Sequence, residues 1–315
     1  MEHMSKAKIT VMGSFIVDLM ARAPHLPEHG ETVKGSHFQI GPGGKGSNQG
    51  VAASRSGAAV TMITKIGTDP FAQIALESFR REGMDMHYVM QDECYPTGTA
   101  LIMVDENTSE NKIVVTIGAC EHITPEEIES AREQIENSRV FLTQLETNLD
   151  AVENAVKIAH ARGIKVILNP APAPPQPLSD DLLAKVDIIT PNETEASILS
   201  GVKVTDMDDA KKAARVLKAK GIGHVIITMG NKGALVLTDS MEYVIDPIKV
   251  NVVDTTGAGD AFNGGLATAL AEGLDVVQAV RFANATGALS VTKLGTAPAM
   301  PYRDEIEKLL QYTHP

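Results

Sequence analysis

Cysteine is scarce in this 315-residue chain, which has only Cys94 and Cys120. Two cysteines without metal-ligand spacing build neither a disulfide framework nor a zinc site, so both are expected as free thiols. No apolar run approaches 18 residues, which argues against a membrane-spanning helix. The opening residues, MEHMSKAK, have no apolar signal-peptide core. The expectation is a cytoplasmic protein with His3 in a disordered start. Basic blocks are missing too. Lys plus Arg total 28 against 40 for Asp plus Glu, a net charge of −12. Nucleic acid and anionic membranes are therefore not expected partners. The nine histidines show no metal-ligand spacing, and there is neither an internal repeat nor a low-complexity tail.

What is present is an ordinary core-forming composition, 43% hydrophobic, in a length that suits one large α/β domain or two small ones. The runs KITVMGS, VTMITKIG, VFLTQLE, IKVILNP, VDIITPN and HVIITMG read as strands. Amphipathic stretches lie between several of them. DPFAQIALESFRREG starts on acid-Pro, TPEEIESAREQIENS opens on a capping box at Thr124 and Glu127, and two more stop at glycine. Strand and helix in alternation imply a mostly parallel sheet covered on both faces. Two regions break the rhythm. Residues 14–42 hold strand-like pieces without a helix, and 97–118 read as a hairpin turning at DENTSEN. They predict a small antiparallel sheet standing off the main body, as a lid or a subunit contact. NPAPAPPQP, residues 169–177, reads as a linker or as a rigid surface loop.

Two glycine-rich turns carry the chemistry. GPGGKG, residues 41–46, matches a dinucleotide fingerprint literally. Pro42 sits in its turn, however, and the acidic residue expected about 20 positions on is absent. Nor is it a Walker A loop, because Gly46 follows Lys45. It reads as a close-packed backbone carrying Lys45 and Asn48, suited to a small polar ligand or simply to a tight turn. DTTGAGDAF, residues 254–262, follows the strand-like run KVNVV and precedes a helical pattern. Gly257, Ala258 and Gly259 can cradle an anion at the helix start. Asp260 then either complements the helix dipole or takes a proton from a group attacking a phosphate. Asn192 and Glu195 form N-x-x-E, which serves as a capping box or as ligands of a hydrated magnesium ion. Asp18 follows one strand and Glu146 ends another, VFLTQLE, at the sheet end where open α/β folds bind ligands.

With GGKGSNQGVAA, DTTGAGDAFNGG, NPAPA, PNETEA and ITMGNKGA in this order, the chain resembles the ribokinase family of carbohydrate kinases over residues 8 to 311. The resemblance implies one kinase domain, with residues 14–42 and 97–118 as a lid that also clasps a second subunit in a homodimer. It implies ATP-dependent phosphorylation of a pentose 5-hydroxyl, with Asp260 as base and Gly257, Ala258 and Gly259 as anion hole. By the same resemblance Asp18, Gly44, Lys45, Asn48 and Glu146 hold sugar hydroxyls, and Asn192 and Glu195 serve Mg²⁺ through water. Thr228, Gly230, Lys232 and Gly233 run along ATP, and Asn284 lies by the adenine. Asp254 and Thr256, with carbonyls near Ser290, Lys293 and Gly295, match a K⁺ site. The sequence departs from the family pattern twice. Ile16 stands where an asparagine usually meets sugar hydroxyls, and Cys120 where another asparagine is common. A hydroxyl left facing isoleucine loses roughly 1–3 kcal/mol, which raises 2-deoxyribose as an alternative to ribose. The other classes are a non-catalytic sugar- or nucleotide-binding regulator on this fold and, on GPGGKG alone, a nicotinamide oxidoreductase.

Overall fold

The computed structural model describes residues 6–108 and 110–313, so His3 and Ser109 of the DENTSEN turn lie outside the described residues. β1 (Lys8–Met12) opens a large sheet, and β2 (Ile16–Ala23) and β3 (His37–Gly43) leave it at once. β4 (Ala59–Gly67) and β5 (Asp85–Asp92) return to the large sheet, while β6 (Gly98–Asp105) and β7 (Asn111–Thr116) depart again. β8 (Val140–Thr143), β9 (Lys165–Leu168), β10 (Ile188–Ile189), β11 (His224–Thr228), β12 (Ala234–Leu237) and β13 (Glu242–Ile245) complete it.

The large sheet has the order β13-β12-β11-β10-β9-β8-β1-β4-β5. It is parallel from β5 to β11, and β12 and β13 add an antiparallel edge. Each parallel pairing needs a crossover, and amphipathic helices such as Pro70–Arg81, Leu149–Ala161 and Met207–Lys218 supply several. Because both faces are covered, neighbouring residues on one strand enter different cores. Val140 and Leu142 join one cluster with Ile9, Val11 and Leu266, whereas Phe141 joins the other with Met12, Val156 and Val225. Among the described residues no helix is long and apolar enough to cross a membrane.

Several sequence expectations need correcting. The small sheet, order β3-β2-β6-β7, is mixed rather than antiparallel: β2 and β6 run parallel in register from Ile16–Gly98 to Ala23–Asp105 and weld the two excursions together. KVNVV is not a strand. Val252 and Val253 are exposed, and the Val253 amide donates to the Val291 carbonyl at 2.7 Å instead of to a sheet neighbour. The edge strand falls just earlier, at β13. The 124–138 helix breaks at Ala131 into two short helices. Asp18 lies inside β2 of the small sheet, and Glu146 lies three residues beyond the end of β8. NPAPAPPQP links no domains, because β9 before it and β10 after it pair directly.

Candidate active site

The carboxyl ends of β1, β8, β9, β10 and β11 lie on one edge of the sheet; the loops leaving the first four carry Ser14, Glu146, Asn169 and Asn192, and Thr228 ends β11. Facing them are the starts of two helices, Lys45–Arg55 and Ala258–Ala271. The first is packed glycine to glycine against β1. A Cβ at Gly46 would lie 2.6 Å from the Gly13 Cα, and one at Gly44 would lie 2.7 Å from the Ile16 amide nitrogen. Gly44 also has φ 87°, which a side chain rarely tolerates. Hence GPGGKG serves close approach, as its reading as a tight turn requires.

The second helix is buried all round from Asp260 to Ala271. It fits between its neighbours through Gly264, whose Cβ would sit 2.5 Å from the Ala52 Cβ, and Gly265, whose Cβ would sit 2.5 Å from the Thr286 Oγ1. Gly257 forms its N-cap at φ 77°. The Ala258 amide donates to the Thr255 carbonyl at 3.2 Å, whereas the Gly259 and Asp260 amides have no acceptor among the described residues. At Gly259 a Cβ would meet nothing within 4 Å. Open space beside free first-turn amides is the geometry of an anion cradle.

Asp260 is buried in the first turn, where Asn48 Nδ2 donates to Oδ2 at 3.1 Å and Gln49 Nε2 to Oδ1 at 3.0 Å. Burial pushes its carboxyl up from the ordinary range, and Lys45, Gln49 and Asn48 oppose the shift. Glu146 accepts the Lys45 backbone amide at 2.9 Å and the Ser14 hydroxyl, so it ties the helix start to the end of β1. The Asp18 carboxylate has no hydrogen-bond or ion-pair partner among the described residues, and burial, then Glu146 and Asp260, raises its pKa to about 6. The Lys45 ammonium is likewise unpaired among the described residues; burial works against its charge, but Asp260, Glu146 and Glu195 prevail and its pKa is raised. The Asn48 Oδ1 is buried without a donor. Unpaired, half-buried charges of both signs beside the buried Asn48 Oδ1 call for a polyhydroxy ligand or an anion to satisfy them.

Ile16, 2% exposed, shares the inward face of β2 with Asp18 two residues on. Cys120 does not line this space. Its Sγ donates to the Lys65 carbonyl at 3.0 Å and accepts the Phe15 amide at 3.4 Å, so it braces the β1–β2 connection from behind. Both cysteines are free thiols.

Asn192 and Glu195 make the complete capping box of the helix Glu193–Ser200. Only the Glu195 Oε2 is engaged there, at 2.9 Å from the Asn192 amide, and burial raises its carboxyl. The other oxygen is left for a water-mediated cation, which fits Mg²⁺ held at second hand. Thr228 bridges Asn192 across the strand ends. The loop that follows, through Gly230 and Gly233, closes with the Met229 amide on the Gly233 carbonyl at 2.8 Å, and the Lys232 Nζ donates to the Thr205 carbonyl at 2.7 Å. Asn284 sits apart on the helix Val276–Ser290, where it donates to the Asp246 carbonyl at 2.8 Å. Asp246 lines a cavity of about 450 Å³. Asp254 accepts the Thr256 amide at 2.9 Å and the Gly295 amide at 3.0 Å, which lowers its carboxyl against the effect of burial. Those bonds draw the loops 254–256 and 293–295 together. The Ser290 carbonyl accepts the Lys293 amide, but the Thr256, Lys293 and Gly295 carbonyls have no donor among the described residues. Such an all-oxygen set suits a monovalent cation.

Sequence reasoning assigned no role to Gln49, Gln144, Asn169, Thr190 and Asn263. All five are buried and joined to the site by hydrogen bonds. Gln49, Asn169 and Asn263 stand in motifs already singled out, but nothing local in the sequence shows that they are joined.

A family model described as pfkB family carbohydrate kinase matches residues 6–303. The chain is 45% identical to a ribokinase of Haemophilus influenzae over 96% of its own length and 98% of the relative's. It is 39% identical to a deoxyribokinase of Salmonella typhi, with the same coverage of this chain and 98% of that one. Among solved structures, ribokinase of Arabidopsis thaliana complexed with ribose and ATP superimposes with a TM-score of 0.88 at 29% identity, covering 98% of this chain and 99% of that one. With its glycine-cradled helix start, its buried aspartate and a family match across nearly the whole length, the chain belongs to the pfkB family of carbohydrate kinases.

Proposed function

We propose that this kinase transfers the terminal phosphoryl group of ATP to the 5-hydroxyl of a pentose, with D-ribose as the first reading. The observation that carries it is Asp260: a buried carboxylate in the first turn of a helix whose open start suits an anion. A carboxylate there repels phosphate, a cost that is accounted for if it has a proton to remove. In the step, the Asp260 carboxylate accepts the hydroxyl proton and the sugar oxygen forms a bond to phosphorus. The bond to the ADP oxygen breaks, and the Gly257–Gly259 segment receives the charge of the transferring group. Asp18, Lys45, Asn48 and Glu146, with the Gly44 backbone, hold the sugar, and the unpaired state of Asp18 and the Asn48 Oδ1 supports this. Thr228, Gly230, Lys232, Gly233 and Asn284 flank the nucleotide. Asn192 and Glu195 serve Mg²⁺ through water, and Asp254 with the carbonyls of Thr256, Ser290, Lys293 and Gly295 takes K⁺. These ions supply charge neutralisation when bound. The small sheet clasps a second subunit, a reading supported by its exposed Phe38, Ile40, Leu101 and Val114.

One observation favours a second substrate. Ile16 on the inward face beside Asp18 offers no hydrogen bond, so a sugar carbon without a hydroxyl is its better neighbour. The similarity to a deoxyribokinase agrees with this. An ADP-release assay over ribose, 2-deoxyribose, fructose and nucleosides, with and without potassium and with EDTA, tests the whole reading. Sugar-dependent ADP release with a pentose is the expected result; no release with any sugar, in a folded protein that binds one, returns the case to a binding regulator.

A further inference from the structure

Behind the acid lies a chain of buried side-chain amides, linked through Thr190, in which every donor points the same way. Gln144 Nε2 donates to Gln49 Oε1 at 2.7 Å. Gln49 Nε2 then donates to both Asp260 Oδ1 at 3.0 Å and Asn169 Oδ1 at 2.9 Å. Asn169 Nδ2 donates to the Thr190 carbonyl at 3.1 Å, and the Thr190 hydroxyl to Asn263 Oδ1 at 2.7 Å. Asn263 Nδ2 closes the run on the Gly259 carbonyl at 2.8 Å. The chain joins the ends of β8, β9 and β10 to both helix starts, and each member is less than a tenth exposed.

Its direction fixes its geometry. A flipped Gln49 amide would turn its oxygen on the Asp260 carboxylate and its nitrogen on the Gln144 donor, so each bond holds the next in place. At the far end, the Gly259 carbonyl and the Asp260 amide belong to one planar peptide and point in opposite directions. Pinning the carbonyl therefore aims that N–H out of the helix start.

We propose that this relay sets the acid and the anion cradle in one frame, with Gln49 and Asn263 as positioning residues for the phosphoryl transfer. The inference rests on Asp260 being the base. Gln49 holds Asp260 Oδ1 while leaving the carboxylate free to take a proton on its remaining lone pairs. Asn263 holds the peptide that donates to the phosphate. Neither residue is expected to touch the sugar.

Gln49→Leu removes the donor at nearly constant volume. It is expected to lower kcat roughly 10- to 100-fold, the scale of a misplaced reacting group, with sugar and ATP KM within about 2-fold. The acid limb of the kcat/KM–pH profile should move up, because a donor that favours the ionised carboxylate is gone. The charged groups facing Asp260 are Lys45, Glu146, Asp18 and Glu195, and all remain in the variant. A purely structural Gln49 would lower Tm and leave that limb where it was, which overturns the proposal. Should Gln49→Leu not fold, Gln144→Met removes only the donor to Gln49; a limb shift in the same direction supports the relay, and an unmoved limb overturns it. Asp260→Asn runs alongside. If it keeps turnover, the base assignment itself falls and takes the relay with it; if it is inactive while Gln49→Leu is kinetically wild-type, only the relay falls.

Discussion

Asp260→Asn keeps the size and most of the hydrogen bonding of the side chain but removes its basicity. Turnover should drop about 10²- to 10⁴-fold, the usual contribution of a placed base, while calorimetry finds sugar affinity nearly unchanged. Asp18 makes a different prediction, in stability. Its carboxyl titrates near 3.8 in the unfolded chain and about 6 in the fold. The folded state thus holds the proton more tightly, and stability falls as pH rises from about 4 through about 6, then stays lowered. Asp18→Asn should therefore stabilise the ligand-free protein above pH 6, by up to about 3 kcal/mol for a two-unit shift, and the gain should shrink toward pH 4.5. Urea melts at pH 7.5 and 5 measure this; an equal gain at both would mean that the acid is not held against its charge. Ile16→Asn should shift kcat/KM from 2-deoxyribose toward ribose, and steady-state kinetics on the two sugars would show an unchanged ratio if Ile16 does not meet the differing carbon.

At the scale of elements, the glycines of the helix Ala258–Ala271 divide by task. Gly259 faces open space and Gly264 faces the Ala52 side chain at 2.5 Å. Gly259→Ala should leave Tm unchanged or raised, since alanine favours helix by about 0.5–1 kcal/mol, yet cost turnover because its methyl enters the cradle. Gly264→Ala should do the reverse in emphasis and lower Tm by forcing two helices apart. Thermal melts and initial rates on the two variants check the contrast. Both glycines were visible as a motif in the sequence, and Gly259 was legible there as part of an anion cradle; that Gly264 meets a neighbouring helix was not. The local devices were legible because their partners lie a few residues apart: the capping boxes at Thr124 and Asn192, and the acid in the first turn. β12, β13 and the parallel β2–β6 pair were not, since strand pairing is decided by neighbours far along the chain. KVNVV has the apolar content of a strand, but no strand lies beside it to accept its amides. The relay was equally hidden: its members span five segments, its bonds between helix and strand loop join residues 73 to 120 positions apart, and Gln49 and Asp260 are 211 apart.

For the whole molecule, the small sheet carries a large apolar area. Ile40, Leu19, Leu101 and Val114 align across its four strands on the face opposite Ile16 and Asp18. Phe38 and Val114 are 60% and 62% exposed. If this face clasps a second copy, the 33.5 kDa chain should sediment as a dimer, and Val114→Asp should return it to a monomer. A monomeric wild type at micromolar concentration would remove that reading.

The roots of the small sheet also limit how it can move. At Gly13, Gly44, Gly98 and Gly118, where the chain crosses between the two sheets, an added Cβ would strike a neighbouring atom within 2.0 to 2.7 Å. Hinges need slack, and these joints have none. Any closing over a sugar must then come from flexing along the strands, like a leaf spring clamped at its base. Amide exchange should be slowest at the four crossings and fastest at the tip, near residues 23 and 105–107.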